Sequence, residues 1–212
     1  MRIYAAADIH GKDERIERIR SKLSVLNADI LVLAGDITNY TSPAKILTRI
    51  NALPVPVFLV RGNSDLKRVD SLCRSFSNCA SIEGAVMKIR SIPFVGMGGT
   101  IPIPFYSRVA LNENSNLRKI APLVNTDTVL VTHTPPRGAQ DLVMGRFHAG
   151  STGLLRLVKN RQPQILICGH IHEDSGITEI GNTHVVNCAF SRKRSGALIV
   201  FENSRLVDLK MI

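Results

Sequence analysis

The sequence lacks a long uninterrupted hydrophobic run. None approaches the roughly 18 residues that a membrane-spanning helix needs, although apolar residues make up 44% of the 212 residues. The amino terminus does not resemble a signal peptide, because the apolar stretch that ends at Ala7 runs directly into polar residues. These absences argue against a membrane protein and predict a cytoplasmic one.

Cysteine is scarce, and its spacing points to no particular chemistry. The four cysteines, at positions 73, 79, 168 and 188, form no C-x-x-C pair, which argues against a zinc ribbon or a dithiol redox site. We expect reduced and mostly buried thiols. Linkers, repeats and low-complexity segments are also missing, so we expect one domain over residues 1–212.

Acidic residues are fewer than basic ones: the sequence has 17 Asp and Glu and 27 Lys and Arg, which gives a formal net charge of +10. Such a charge favours anionic partners, and a basic stripe is one mark of nucleic-acid binding. However, segment 12–22 alternates acids and bases like a solvated helix face, and the only basic run, residues 192–194, is short. We therefore expect a small phosphorylated substrate and favour nucleic acid less.

Short apolar runs alternate with helical patterns, which predicts an α/β fold. Strands are predicted over residues 2–7, 30–34, 55–60, 81–90, 93–97, 128–132 and 164–168. Helices are predicted after residue 12 and over 43–51, 65–74, 109–121 and 153–159. Beyond residue 175 we expect consecutive strands joined by turns at Gly181-Asn182 and Ser195-Gly196. Strands that stop alternating with helices predict a mixed sheet.

Polar residues follow five of these strands at the point where each strand ends. They are Asp8, Asp36, Asn63, His133 and His170. In open α/β sheets, ligands bind at the carboxyl ends of the strands. We therefore expect the five segments to deliver these side chains to one rim.

The motifs around these residues form an ordered set. They are Asp-x-His at Asp8 and His10, Gly-Asp at Asp36, Gly-Asn-x-Asp at Asn63 and Asp65, Thr-His at His133, and Gly-His-x-His at His170 and His172. Each motif alone is weak evidence, but the set in this order resembles the calcineurin-like metallophosphoesterases, and the resemblance extends from end to end. It implies two mixed β-sheets packed as a sandwich and flanked by helices, a four-layer α/β/β/α arrangement.

The resemblance implies two metal-binding positions. Asp8, His10, Asp36 and His172 would hold one divalent ion, and Asp36, Asn63, His133 and His170 would hold the other. Asp36 is the expected bridge, because a carboxylate has two oxygens. Ligands of nitrogen and oxygen without thiolate permit manganese, iron, zinc, cobalt or nickel. The ligand types do not choose among these metals, and manganese is our first expectation.

The implied reaction is hydrolysis of a phosphodiester or an activated phosphomonoester. A hydroxide that bridges the ions would attack phosphorus, and the ions would neutralise charge that develops on the phosphate oxygens. Two carboxylates, Asp8 and Asp36, leave the site with a net positive charge that suits a phosphate anion. We assign catalytic roles to Asp36, Asn63, Asp65 and His133, with Asp65 expected to orient Asn63 or a ligand histidine.

Ser64 departs from the family pattern, in which many enzymes have a histidine that protonates the leaving group. General acid catalysis contributes about 10²–10⁴-fold, so its loss favours leaving groups that need no proton, as in phosphodiesters. His148 could supply the proton, although an ordinary loop histidine is the simpler interpretation. Arg61 and Arg137 could pair with phosphate or serve as structural residues.

Two other functions stay open at this point. The basic charge lends some weight to a nuclease, but nuclease relatives usually carry an added region for which this chain has no room. A protein-interaction scaffold with the same fold is the second alternative, yet scaffolds of that kind lose metal ligands that are all present here. The Gly/Pro-rich segment Gly98–Phe105 could form a pocket wall or a subunit contact, so a homo-oligomer also stays open.

Overall fold

A computed structural model describes residues 1–99 and 110–212. Its first sheet contains β1 (Arg2–Ala6), β2 (Ile30–Ala34), β3 (Val57–Val60), β4 (Cys79–Ser81), β13 (Ala197–Glu202) and β14 (Arg205–Met211). The strand order is β14-β13-β1-β2-β3-β4. Strands β1 to β4 run parallel, whereas β13 is antiparallel to both β1 and β14. This sheet is therefore mixed, as expected.

The second sheet also has six strands and mixed directions. It contains β5 (Val86–Ile89), β6 (Ile92–Met97), β7 (Val129–Thr132), β10 (Ile165–Cys168), β11 (Gly176–Ile180) and β12 (Thr183–Asn187), in the order β11-β12-β10-β7-β6-β5. Its central strands β6, β7, β10 and β12 are parallel, and the outer strands β5 and β11 are antiparallel to their neighbours. A separate short hairpin joins β8 (Leu142–Val143) to β9 (Phe147–His148).

Helices cover the outer face of each sheet. The helices α1 (Asp13–Leu26), α2 (Pro43–Asn51) and α3 (Arg68–Cys73) pack on the first sheet, and α4 (Ala110–Ile120) and α5 (Thr152–Arg161) pack on the second. Two 3₁₀ turns lie at Ala121–Leu123 and His172–Asp174. Among the described residues, no helix is both long and apolar enough to cross a bilayer.

Successive side chains of a strand point to opposite faces of its sheet, and this alternation builds the layers. In β1, Ile3 and Ala5 pack between the two sheets, whereas Tyr4 and Ala6 pack against the helices. Because successive strand residues point to opposite faces, a strand in a middle layer must be apolar throughout. The predicted four-layer sandwich is confirmed. All four cysteines are buried and free, in agreement with the expectation for them.

Two predictions about the elements were wrong. The segment predicted as one strand over 81–90 is divided by a turn at Gly84. Gly196 forms no hairpin turn; it lies against β1, where an added Cβ would come within 2.2 Å of the Ala5 carbonyl oxygen. The turn instead lies at Asn203-Ser204, both with positive φ. The hairpin of β8 and β9 was not predicted, and residues 100–105 of the predicted Gly/Pro-rich loop lie outside the described residues.

Candidate metal centre

The predicted ligands meet at one edge of the sandwich. Asp8, Asp36 and Asn63 follow the parallel strands β1, β2 and β3, while His133 and His170 follow the parallel strands β7 and β10. The two sheets are linked at this edge, since Nδ1 of His133 lies 2.9 Å from the carbonyl oxygen of Ala34. The rim expected from the sequence therefore draws on both sheets.

The backbone at this edge is strained. Asp8, His10, Asp36 and His170 all have left-handed backbone angles, with φ of 63°, 51°, 50° and 72°. Residues with a Cβ seldom adopt this region, and such conformations cluster at functional sites. Hydrogen bonds hold them in place, because the amide of Asp8 donates to Gly35 O at 3.0 Å and that of His10 donates to Asp36 O at 2.8 Å.

The first group of ligand atoms surrounds Asp8. Among the described residues, its buried Oδ1 atom has no hydrogen-bond partner, while Oδ2 accepts the backbone amide of His170 at 2.9 Å. Nε2 of His172 lies 3.0 Å from Oδ1, off the line of a hydrogen bond, and Nε2 of His10 lies 3.8 Å away. A buried carboxylate oxygen without a donor is costly, and a cation among these three atoms would satisfy it.

The second group surrounds His133. Its Nδ1 faces a carbonyl oxygen and must therefore carry the proton, which leaves the lone pair of Nε2 free. That Nε2 lies 3.0 Å from Oδ1 of Asn63 and 3.5 Å from Oδ1 of Asp36. Three lone-pair atoms thus converge without a proton between them. This arrangement also fits a cation.

Asp36 lies between the two groups. Its Oδ1 faces His133, whereas its Oδ2 lies 3.7 Å from Nε2 of His10. The carboxylate is placed there by the adjacent loop, because a Cβ at Gly62 would come within 2.2 Å of Asp36 Oδ1. Only glycine permits this approach. The geometry fits the bridging position expected for Asp36, although Asp8 also lies close to both groups.

His170 completes the cluster through its ring. The His170 and His133 rings meet edge to face with centroids 4.9 Å apart. Burial, assisted by His133, lowers the pKa of His170 to about 4. Its imidazole is therefore neutral near pH 7, which is the form that binds a metal.

The pKa shifts of the other residues at this site also arise from burial and from their close contacts. Burial opposes ionisation of Asp8, but the contact with His172 and the nearby His133 lower its pKa below the ordinary value. The contact with Asp8 raises the pKa of His172, whereas burial lowers that of His10. Asp8 is thus a carboxylate at neutral pH and is available as a ligand.

Asp65 has a different role from the one expected. Its carboxylate accepts the backbone amides of Ile37 at 3.0 Å, Thr38 at 2.7 Å and Gly62 at 2.9 Å, and the Thr38 hydroxyl at 2.8 Å. These partners belong to the loops that carry Asp36 and Asn63. Asp65 therefore ties two loops together, and the described hydrogen bonds do not connect it with the Asn63 side chain or a ligand histidine.

Ser64 contacts the candidate ligand His10, a role that the sequence did not reveal. Its Oγ lies 3.3 Å from Nδ1 of His10, and its amide donates to Asp36 Oδ1 at 2.8 Å. If Nε2 of His10 binds an ion, Nδ1 carries the proton and donates to the Ser64 hydroxyl. The signal in the sequence was only the position of Ser64 between Asn63 and Asp65.

We expect Ser64→Ala to weaken metal binding by about 10–100-fold, the usual cost of losing a group that orients a ligand. The melting temperature of the metal-free protein should hardly change, because the backbone hydrogen bond to Asp36 remains. Calorimetric titration with Mn²⁺ measures the affinity, and Ser71→Ala on α3 is the matched control. Unchanged affinity in Ser64→Ala would show that the hydroxyl does not position His10.

The other residues that we considered for phosphate binding or proton donation contact protein groups. Arg61 forms ion pairs with Asp70 and Glu83, which favours its structural interpretation. Arg137 donates to the carbonyl oxygen of His148 at 3.0 Å, and Nδ1 of His148 lies 2.6 Å from Asp141 Oδ1. Proton donation by His148 stays a prediction.

Comparison with known proteins agrees with this geometry. The family model described as calcineurin-like phosphoesterase matches residues 1–174. The protein MJ1162 of Methanocaldococcus jannaschii is 32% identical over 196 residues, 88% of this chain and 87% of the relative. Phosphodiesterase YfcE of Escherichia coli is 33% identical over 85 residues, 36% of this chain and 46% of YfcE. A dimetal phosphatase from Danio rerio has the same fold, with a TM-score of 0.68 at 11% identity over 100% of this chain and 95% of that chain.

Proposed function

This chain belongs to the calcineurin-like phosphoesterase family, and we propose that it hydrolyses a phosphodiester or an activated phosphomonoester at a dinuclear metal centre. One observation carries the proposal: two groups of nitrogen and oxygen atoms suited to bind a metal converge on either side of Asp36, and one of them, the buried Oδ1 of Asp8, has no donor to satisfy it among the described residues. The names of two similar proteins, a phosphodiesterase and a dimetal phosphatase, support it.

Each side chain then has a part in binding the ions. Asp8, His10, Asp36 and His172 would hold one ion, and Asp36, Asn63, His133 and His170 would hold the other, manganese being our first choice. Bound ions supply a nucleophile from water at neutral pH and offset charge on the phosphate. Nδ1 of His133 donates a hydrogen bond to Ala34 O. This bond fixes the ring with Nε2 turned toward Asn63 and Asp36.

The residue at position 64 supports a preference among phosphoesters. Ser64 is buried, and its hydroxyl is engaged with His10. A serine hydroxyl is too weak a general acid to assist the departure of an alkoxide at pH 7. We therefore propose diesters and aryl esters as better substrates than alkyl phosphomonoesters.

The test compares bis(p-nitrophenyl) phosphate with p-nitrophenyl phosphate. Protein loaded with Mn²⁺ should hydrolyse the diester, lose that activity when a chelator strips the metal, and regain it when Mn²⁺ is returned. Elemental analysis should find two ions for each chain. If the loaded protein holds two ions but turns over neither ester, the proposal is wrong and a scaffold role gains support.

A further inference from the structure

A cavity of about 920 Å³ opens beside the metal centre. Three segments line it: the first turns of α1, the loop of residues 172–175, and the turn of residues 190–194. His172 belongs both to this lining and to the group of atoms around Asp8, and its side chain is 44% exposed. A substrate bound at the centre therefore has direct access to this cavity.

The cavity is basic. Five cationic side chains line it, against two acidic ones; they are Arg15, Arg18, Arg192, Lys193 and Arg194, facing Glu14 and Glu173. The other two acids of the first turns of α1, Asp13 and Glu17, pair instead with Arg49 of α2. Helix α1 thus presents Arg15 and Arg18 to the cavity, whereas Asp13 and Glu17 lie on its edge toward α2.

Protein contacts fix part of this lining. Arg15 donates to the carbonyl oxygen of Asp8, and its guanidinium lies 5.5 Å from the ring centroid of the buried Phe190. The guanidinium of Arg194 donates to the carbonyl oxygen of Ser175, and the backbone N–H of Arg194 donates to Ser191 Oγ at 3.1 Å. Neutral carbonyl groups orient these cations without neutralising them.

The other three cations of the cavity have no anionic partner in the part of the chain that the structure describes. Within residues 1–99 and 110–212, Arg18, Arg192 and Lys193 make neither a side-chain hydrogen bond nor an ion pair, although Arg18 lies 6.0 Å from the Phe190 ring. Unpaired cations on an open surface are ordinary. Here they share one concave wall with a metal ligand, where field lines concentrate and an anion is attracted.

We propose that this cavity binds a second phosphate group of the substrate, so that the preferred substrates are phosphoesters with another phosphate near the scissile one. The inference rests on the proposed function, in which the metal ions already hold the scissile phosphate. Arginine binds phosphate through paired N–H donors, and lysine binds it as a point charge. The second phosphate could belong to a phosphate chain or to the next nucleotide of a nucleic acid.

Three p-nitrophenyl esters separate these sources. The first is the ester of thymidine 5′-phosphate, which has one phosphate. The second is the ester of the terminal phosphate of thymidine 5′-triphosphate. The third is the 5′-ester of thymidine 3′,5′-bisphosphate, which imitates a neighbouring nucleotide. The Mn²⁺-loaded protein is compared with the variant Arg192→Ala/Lys193→Ala and with Arg156→Ala/Lys159→Ala, a control that removes the same two residue types from the exposed side of α5.

We expect at least one of the two esters with additional phosphate to have a KM about tenfold lower than the one-phosphate ester, with similar kcat. The Arg192→Ala/Lys193→Ala variant should lose that advantage, and the control should keep it. The better of the two esters identifies the source. Equal KM values for all three esters, or the same loss in both double variants, would overturn the inference.

A binding measurement avoids dependence on turnover. Metal-free protein is titrated with inorganic tripolyphosphate in a calorimeter, and binding should weaken about tenfold in Arg192→Ala/Lys193→Ala but not in the control. Equal binding in both double variants would contradict the inference. The proposed function fails separately, because it requires hydrolysis of the one-phosphate ester whatever the KM values show.

Discussion

Asp36→Asn should lower the turnover of bis(p-nitrophenyl) phosphate by at least about 10³-fold. The Asp36 carboxylate faces His10 through Oδ2 and His133 through Oδ1, so its charge serves both groups of ligands. An amide keeps one acceptor oxygen but loses the negative charge and the second oxygen. Since metal-bound water supplies the nucleophile in this class of enzyme, weak metal binding should remove most of the rate. Each factor of ten corresponds to about 1.4 kcal/mol of the barrier.

The fold should survive this change. The remaining oxygen of the introduced amide can still accept the backbone N–H of Ser64, which lies 2.8 Å from Asp36 Oδ1. We expect the melting temperature of the metal-free variant to stay within a few degrees of the wild type, and the metal content to fall below two ions. Asp208→Asn, at an exposed position of β14, is the control. Normal turnover of Asp36→Asn would contradict both the dinuclear centre and the bridging position.

The fold was largely predictable because burial leaves a plain signal in this sequence. Strand β2 was predicted with its observed bounds, since a strand covered on both faces must be apolar throughout. Helix α2 was also predicted with its observed bounds, because Pro43 in its first turn marks where the helix begins. The predicted turn at Ser195-Gly196 was wrong because Gly196 is required for close approach to β1. That contact spans about 190 residues of sequence and leaves no local pattern.

The convergence of the candidate ligands was predictable for a similar reason, but their surroundings were not. A side chain that directly follows a parallel strand lies at the carboxyl edge of the sheet. Asp8, Asp36 and His133 could therefore be assigned to that edge from the predicted strands alone. The contact between Ser64 and His10 depends on how two loops cross. The basic cavity likewise joins Arg15 to Arg192, which are 177 positions apart. The sequence suggested a solvated helix and a short basic run, and only the fold brings the two together.

Asp65→Ala should destabilise the protein by about 3–5 kcal/mol. Asp65 is 6% exposed, and its carboxylate accepts the amides of Ile37, Thr38 and Gly62. Alanine would leave three buried donors without a partner, and each unsatisfied donor costs about 1–3 kcal/mol before water or local movement relieves it. At about 2–4 °C for each kcal/mol in a protein of this size, the melting temperature of the metal-free protein should fall by about 10 °C. Asp127→Ala, in an exposed turn, should leave it unchanged.

Asp65→Asn separates the structural role of Asp65 from a catalytic one. The amide has one acceptor oxygen, so it can satisfy only some of the donors, and we expect a smaller loss of stability with weaker Mn²⁺ binding. If Asp65 only ties the loops of Asp36 and Asn63 together, saturating Mn²⁺ should restore most of kcat, because binding of the ions draws the loops into place. If Asp65 takes part in the chemistry, kcat should stay low at saturating Mn²⁺ even though the melting temperature recovers. The hydrogen bonds from Asp65 to the loops lead us to expect the first result.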